Sequence, residues 1–169
     1  MANVDIELSV PGASLFSSGI PELVHVNGSA GSGGEIAYDG YAFDQTTQEA
    51  LYWTFNAARY GSGDIDVILD FYANLTSGTC VWGARLGAVT ASTDSASVVA
   101  KSTSTEATGS ATTFASTANR LYRQTVTITA KDSLAADDRV FLRVCRRVDS
   151  DTGAGDVVLV GCCVRYSDV

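Results

Sequence analysis

The side chains in this sequence that could do chemistry are four cysteines, one histidine and a few closely spaced acids. Cys80, Cys145, Cys162 and Cys163 all sit in apolar runs, and no CxxC spacing occurs among them. Cys162 and Cys163 are adjacent, so on a strand they face opposite sides of the sheet. A tetrahedral zinc site needs ligands that converge, and His25 is the sole imidazole available to help. The spacing therefore reads as reduced, buried thiols acting as small hydrophobes.

His25 lies between Val24 and Val26, and no nucleophile elbow occurs in the chain. A Ser-His-Asp hydrolase needs a base hydrogen-bonded to its nucleophile, so His25 reads as a surface or packing residue. Asp64, Asp66 and Asp70 share one face of a strand pattern. Two acids at a set separation can hydrolyse a glycosidic bond. Acids in alternate positions are also what a solvated strand face carries, and that is the reading adopted. The stretch DSDTGAGD at 149–156 could offer oxygens to calcium, yet its glycine is fifth rather than sixth and position twelve is Val160. It reads as a hairpin turn. No phosphate-cradling glycine motif is present. No enzyme, metal or cofactor is expected. Trp53 and Trp82 read as core or interface residues; Tyr52, Tyr60 and Tyr72 are the other aromatics weighed for stacking on sugars, with Tyr60 and Tyr72 the candidates for an exposed surface.

These residues need strands to carry them. From residue 35 onward, strand signals recur every 8 to 12 residues. They fall at 35–43, 49–57, 64–73, 78–89, 96–106, 121–130, 138–148 and 156–166. In the third, Ile65, Val67, Leu69 and Phe71 oppose Asp64, Asp66 and Asp70. In the seventh, Val140, Leu142 and Val144 oppose Phe141, Arg143, Cys145 and Arg147. The eighth is apolar on both faces, as for a strand covered twice. The Ser/Thr/Ala-rich stretch 89–119 is read as one edge strand near 97–106 followed by a long loop. No stretch offers a capped helical stripe. The expected fold is all-β, a two-sheet jelly-roll-like sandwich over residues 35–169.

Residues 1–34 differ. Both prolines, Pro11 and Pro21, lie there, and the segment ends in NGSAGSGG. It reads as an extended N-terminal arm, with one short strand near 4–8 and a flexible joint at 28–34. Its apolar residues Leu15, Phe16 and Ile20 lack a sheet of their own and are the candidate partner-binding anchors. The competing reading folds the arm back onto its own sandwich.

Net charge is −8. A duplex-wrapping protein needs clustered cations, so nucleic acid is not an expected partner. Residues 1–84 hold ten acids and one base, and residues 85–169 hold nine acids and ten bases. That asymmetry could make complementary faces in an assembly, or be mixed again by a fold that interleaves the halves. No leader of the secretory type and no bilayer-spanning apolar run is read from the sequence, and no membrane role is expected.

Three segments carry a resemblance. LAADDRVFLRV at 134–144, with the turn at 149–156 and the return strand VLVG…VRY at 158–166, resembles the C-terminal hairpin of a group of small tailed-phage virion proteins. YAFD at 41–44 before 49–55, and LTSGTCVWG at 75–83, are similar to the same group. The resemblance covers roughly 38–166 and rests on strand and turn residues. It implies a jelly-roll structural module, usually trimeric, on a phage head, head fibre or tail fibre, and it brings no catalytic residues. One compact domain without heptads or collagen-like repeats fits a capsid decoration (cement) protein that binds the major capsid protein at subunit junctions. Its expected location is the outer surface of the virion, after assembly in the host cytoplasm. The alternative is a receptor- or carbohydrate-binding module of a tail or head fibre.

Overall fold

A computed structural model describes residues 2–27, 36–94, 98–99 and 101–168. The described residues form twelve strands and no helix. In chain order they are β1 (Asn3–Leu8), β2 (Glu22–Asn27), β3 (Ala37–Phe43), β4 (Ala50–Asn56), β5 (Tyr60–Ala73) and β6 (Thr79–Cys80). There follow β7 (Trp82–Val89), β8 (Ala107–Thr108), β9 (Thr112–Thr113), β10 (Tyr122–Ile128), β11 (Arg139–Arg146) and β12 (Val157–Asp168). The larger sheet has the order β10-β5-β12-β3-β2, with β1 also on β12; the smaller has the order β4-β11-β7-β8. All pairings are antiparallel. The chain is a β-sandwich.

Alternation builds the core. Ile65, Val67, Leu69 and Phe71 of β5 are buried, while Asp66 and Asp70 point outward, as the period of two requires. From the smaller sheet, Leu51, Leu142, Val144 and Leu86 meet them. Trp82 is fully buried at the centre, edge-on to Phe43 at 4.9 Å and to Phe71 at 5.5 Å. Each such large apolar side chain contributes about 1.5–3 kcal/mol by leaving water. Trp53 is buried as well.

β12 is not covered twice: Val158, Val160 and Cys163 on its outer face are only half-buried, and the strand changes phase partway along. Leu159 pairs with Phe71 and Gly161 with Asp70, so Val160 is an extra residue in the strand. This bulge shifts the inward phase from Val157 and Leu159 to Cys162, Val164 and Tyr166. It also decides which of the paired cysteines enters the core. Cys162 does, and Cys163 lies half-buried outside.

Three further expectations change. Within the segment expected as an extended arm, β1 pairs with β12 and β2 pairs with β3, so two stretches are strands of the larger sheet. The first coincides with the short strand foreseen near 4–8; the second had no alternating core face to announce it. The joint at 28–34 lies outside the described residues. Of the edge strand expected near 97–106, residues 101–106 are not strand, although the Ser104 amide donates to the Leu86 carbonyl at 2.7 Å. Residues 97 and 100 of that stretch are outside the described set. Tyr60, a candidate for an exposed sugar platform, is buried instead. Its hydroxyl donates to the Gly63 carbonyl at 2.7 Å, and its ring packs on Tyr166.

The fold re-mixes the uneven charge. Arg165 pairs with Asp5, Arg123 with Asp70, Lys131 with Asp64, and Arg59 with Asp168. Each pair joins a residue from the acidic half to one from the balanced half.

Candidate functional site

The strongest candidate surface is the outer face of the smaller sheet. Alternation along β4 sends Leu51, Trp53 and Phe55 inward and leaves Tyr52 and Thr54 outside. On β11 it buries Val140 and Leu142 and leaves Phe141 and Arg143 outside. Phe141 is thus a large apolar residue on a face that water should claim.

A strap formed by residues 9–20 lies along β4. The Ser14 amide donates to the Tyr52 carbonyl at 2.7 Å, and the Tyr52 amide returns to Ser14 at 3.1 Å. Trp53 Nε1 donates to the Ser9 carbonyl at 2.8 Å, and Val10 is buried. At the far end, the Ala50 amide donates to the Gly19 carbonyl at 3.0 Å. Gly19 adopts φ +64°, and a Cβ there would lie 2.9 Å from the Gln48 carbonyl oxygen, so only glycine fits. The strap is therefore fixed to its own sandwich, in keeping with the fold-back reading.

Its apolar side chains nevertheless stay exposed. Leu15, Phe16 and Ile20 are 48%, 60% and 41% exposed. Leu15 and Phe16 come together with Tyr52, Thr54, Thr103 and Phe141 around a cleft of about 300 Å³. The Phe16 and Tyr52 rings are 5.7 Å apart. Ile20 does not line that cleft. A second recess of about 270 Å³ lies beyond Phe141, bounded by Val89, Val98 and Arg139. Phe141 is the ridge between the two.

Charge borders this apolar strip. Glu106 accepts from Arg143 and, at 2.8 Å, from Arg147, which also pairs with Asp149 at 2.9 Å. Arg143 Nε donates to the Tyr52 hydroxyl at 3.3 Å. Glu106 fits there because β7 has a glycine beneath it: a Cβ on Gly83 would lie 2.9 Å from Glu106 Oε1. Cys145 is buried under the network, with its Sγ 3.1 Å from Arg143 Nη1 and 3.5 Å from Gln48 Nε2. Burial pushes its thiol up against the opposing pull of Arg143, so it is no ready nucleophile. An apolar centre with a charged rim is the anatomy of a protein-binding surface.

The other chemically suggestive residues do not converge. His25 Nδ1 sits 2.5 Å from Asp39 at the surface. Asp64, Asp66 and Asp70 each take a separate partner on or just after β10: Lys131, Thr127 and Arg123. In the 149–156 turn, Asp149 pairs with Arg147 and Asp151 with Arg146. No cluster of three or more potential metal ligands occurs among the described residues.

Leu15 and Phe16 are readable from the sequence as anchors, whereas Tyr52, Thr54 and Phe141 acquire that role only in the structure. Phe141 was already legible as an apolar residue on the wrong side of a strand; Tyr52 needed the strap to give it meaning. No protein-family model matches the chain, and no curated protein sequence matches it.

Proposed function

We propose that this protein is a structural component of a tailed-phage virion: a capsid decoration protein that sets the outer face of its smaller sheet against junctions of the major capsid protein. The observation that carries the reading is the exposed pair Leu15 and Phe16, held on a rigid strap beside Phe141. Fixing the backbone beforehand removes an ordering cost from binding, and burying the two side chains then supplies the attraction. The resemblance of 38–166 to small virion proteins supplies the class of partner. Consecutive core strands alternate between the sheets, β3 to β4 to β5, then β10 to β11 to β12, which supports the jelly-roll reading. A homotrimer on the outer surface of the head is the assembly this reading implies. Repetition over a shell lets modest contacts hold firmly.

The test is occupancy on particles that lack the protein. Purified wild type added to such heads should appear at subunit junctions by electron cryomicroscopy. The Leu15→Asp/Phe16→Asp variant should fold normally yet lose about tenfold or more in affinity, since each buried side chain is worth about 1.5–3 kcal/mol. Density on the tail, or undiminished occupancy of the variant, refutes this placement.

A further inference from the structure

The opposite outer face, on the larger sheet, carries a different surface. Tyr72 of β5 points outward there, and Tyr38 of β3 meets it edge-on, with ring centroids 6.1 Å apart and planes at 86°. Two recesses share Tyr72 and Asn119. One, of about 310 Å³, is apolar, with Ile36, Leu121 and Val160 in its wall. The other, of about 540 Å³, is bordered by Glu22, Asn74, Asn119 and Asp156 over a floor that includes Val24, Ala42 and Val158.

The walls of this groove are amphipathic in a particular way. An aromatic ring stands at the centre, aliphatic groups lie to one side, and two amides with two carboxylates lie to the other. Among the described residues, the side chains of Glu22, Asn74 and Asn119 make no hydrogen bond within the chain. Asn119 is held by its backbone alone: its amide donates to the Ala73 carbonyl at 2.8 Å and its φ is +59°, a conformation asparagine tolerates. No lysine or arginine lines either recess.

We propose that the Tyr72 groove binds a neutral saccharide chain. The C–H face of one pyranose ring packs on Tyr72, its apolar substituents enter the Leu121 side, and its hydroxyls are taken by Asn74, Asn119, Glu22 and Asp156. Carboxylates and amides accept and donate to neighbouring hydroxyls, which a purely apolar protein-docking groove would leave unpaired. The two uncompensated carboxylates disfavour sulfated, sialylated or uronic chains by like-charge repulsion. Burial and the neighbouring Tyr38 hold the Tyr72 phenol up at about 12, so the platform stays uncharged. This inference goes beyond the decoration reading and uses the opposite face, so either can fail alone.

The test uses the full chain. A glycan array that includes chitohexaose, cellohexaose, maltohexaose and rhamnose-containing oligomers, with heparin and oligogalacturonate as anionic controls, is followed by amide shift mapping of any hit. Saturable binding to a neutral glycan is expected, with shifts at residues 72–74, 119 and 156–160. Tyr72→Ala should lose about tenfold or more in affinity, whereas Tyr72→Phe keeps the ring and stays within about threefold. Leu15→Asp/Phe16→Asp should bind sugar as wild type does. The proposal is overturned if no neutral glycan binds, if anionic chains are preferred, or if Tyr72→Ala binds normally with an unchanged melting temperature. It is also overturned if Tyr72→Ala abolishes a concentration-dependent self-association instead, because a second copy would then be the occupant.

Discussion

Arg146 and Asp151 form an ion pair at 2.6 Å with side chains 0% and 3% exposed. Arg146 also donates to the carbonyls of Phe43 at 3.1 Å, Gly153 at 2.9 Å and Gly155 at 2.8 Å. One guanidinium thus holds Asp151, Gly153 and Gly155 of the 149–156 turn and ties them to β3. The turn is sealed from the other side as well, because the Gly153 amide donates to the Thr79 carbonyl at 2.9 Å. A stretch rich in Asp and Gly, which reads as a loose hairpin, is in fact clamped.

Removing the clamp should be costly. Arg146→Met leaves Asp151 buried without a counter-charge and strands three carbonyls, so a loss of about 3–5 kcal/mol is expected. Arg123→Met removes an exposed pair with Asp70 and should cost at most about 1 kcal/mol. Urea denaturation of both variants decides the matter. Equal midpoints would mean the turn does not depend on Arg146.

Acid should loosen the β3–β4 connection. Asp44 Oδ1 accepts from the Thr46 hydroxyl at 2.7 Å and from the amides of Thr46 and Thr47 at 2.6 Å each. Those bonds, the Thr46 hydroxyl foremost, hold its carboxyl at about 2, against an ordinary 3.8. The folded value lies below the unfolded one, so the stabilisation is complete above pH 3.8 and disappears as pH falls through about 2. Between pH 4 and pH 2 the melting temperature of wild type should drop faster than that of Asp44→Asn. Parallel curves would remove Asp44 from the acid response.

Much of this architecture was legible because β-strands advertise themselves by alternation. Ile65 to Phe71 against Asp64 to Asp70 could hardly sit otherwise. What alternation cannot register is an edge. β2, with Leu23 and His25 exposed and Val24 and Val26 only half-buried, has no core face and is strand because β3 offers it hydrogen bonds. Nor does it register a bulge, since Val160 and Gly161 look like any two apolar positions until their partners across β5 are known. Leu15 and Phe16 were found because apolar residues without a sheet need a partner. The cleft they line could not be found, since Tyr52 and Phe141 lie 36 and more residues away in sequence. The groove at Tyr72 was half legible: the tyrosine could be named, but Asn119 and Asp156 reach it only through the pairing of β5 with β10 and β12.

Two glycines with left-handed backbones, Gly63 within β5 and Gly78 in the bend before β6, should respond unequally to alanine. Gly78 adopts φ +88°, and a Cβ there would lie 2.7 Å from the Thr152 carbonyl oxygen and 2.9 Å from Gly153 Cα. Gly63 adopts φ +86° with no atom within 4 Å of the same position. Gly63→Ala should cost the left-handed backbone alone, about 1–2 kcal/mol. Gly78→Ala adds a backbone collision inside the clamped turn and should cost more, with the excess visible in urea midpoints. Equal losses would show that the 78–79 and 152–153 segments separate freely.

The four thiols should be silent in the native protein and react together on unfolding. Burial pushes Cys80 up to about 12 and raises Cys145 and Cys162 as well. Cys163, on the outer side of the bulge, is the accessible one, yet burial and the nearby Glu7 still hold it at about 11. At pH 8 roughly one Cys163 in a thousand is then thiolate, the form that attacks a disulfide reagent. Native protein mixed with Ellman's reagent at pH 8 should release well under one equivalent in minutes, rising about tenfold per pH unit toward pH 10. In 8 M urea all four cysteines should react at once. A fast native equivalent that disappears in Cys163→Ser would show that residue to be more open than the β1–β12 pairing allows. A fast equivalent that persists in that variant would place the opening in the core, at the bulge that sends Cys162 inward.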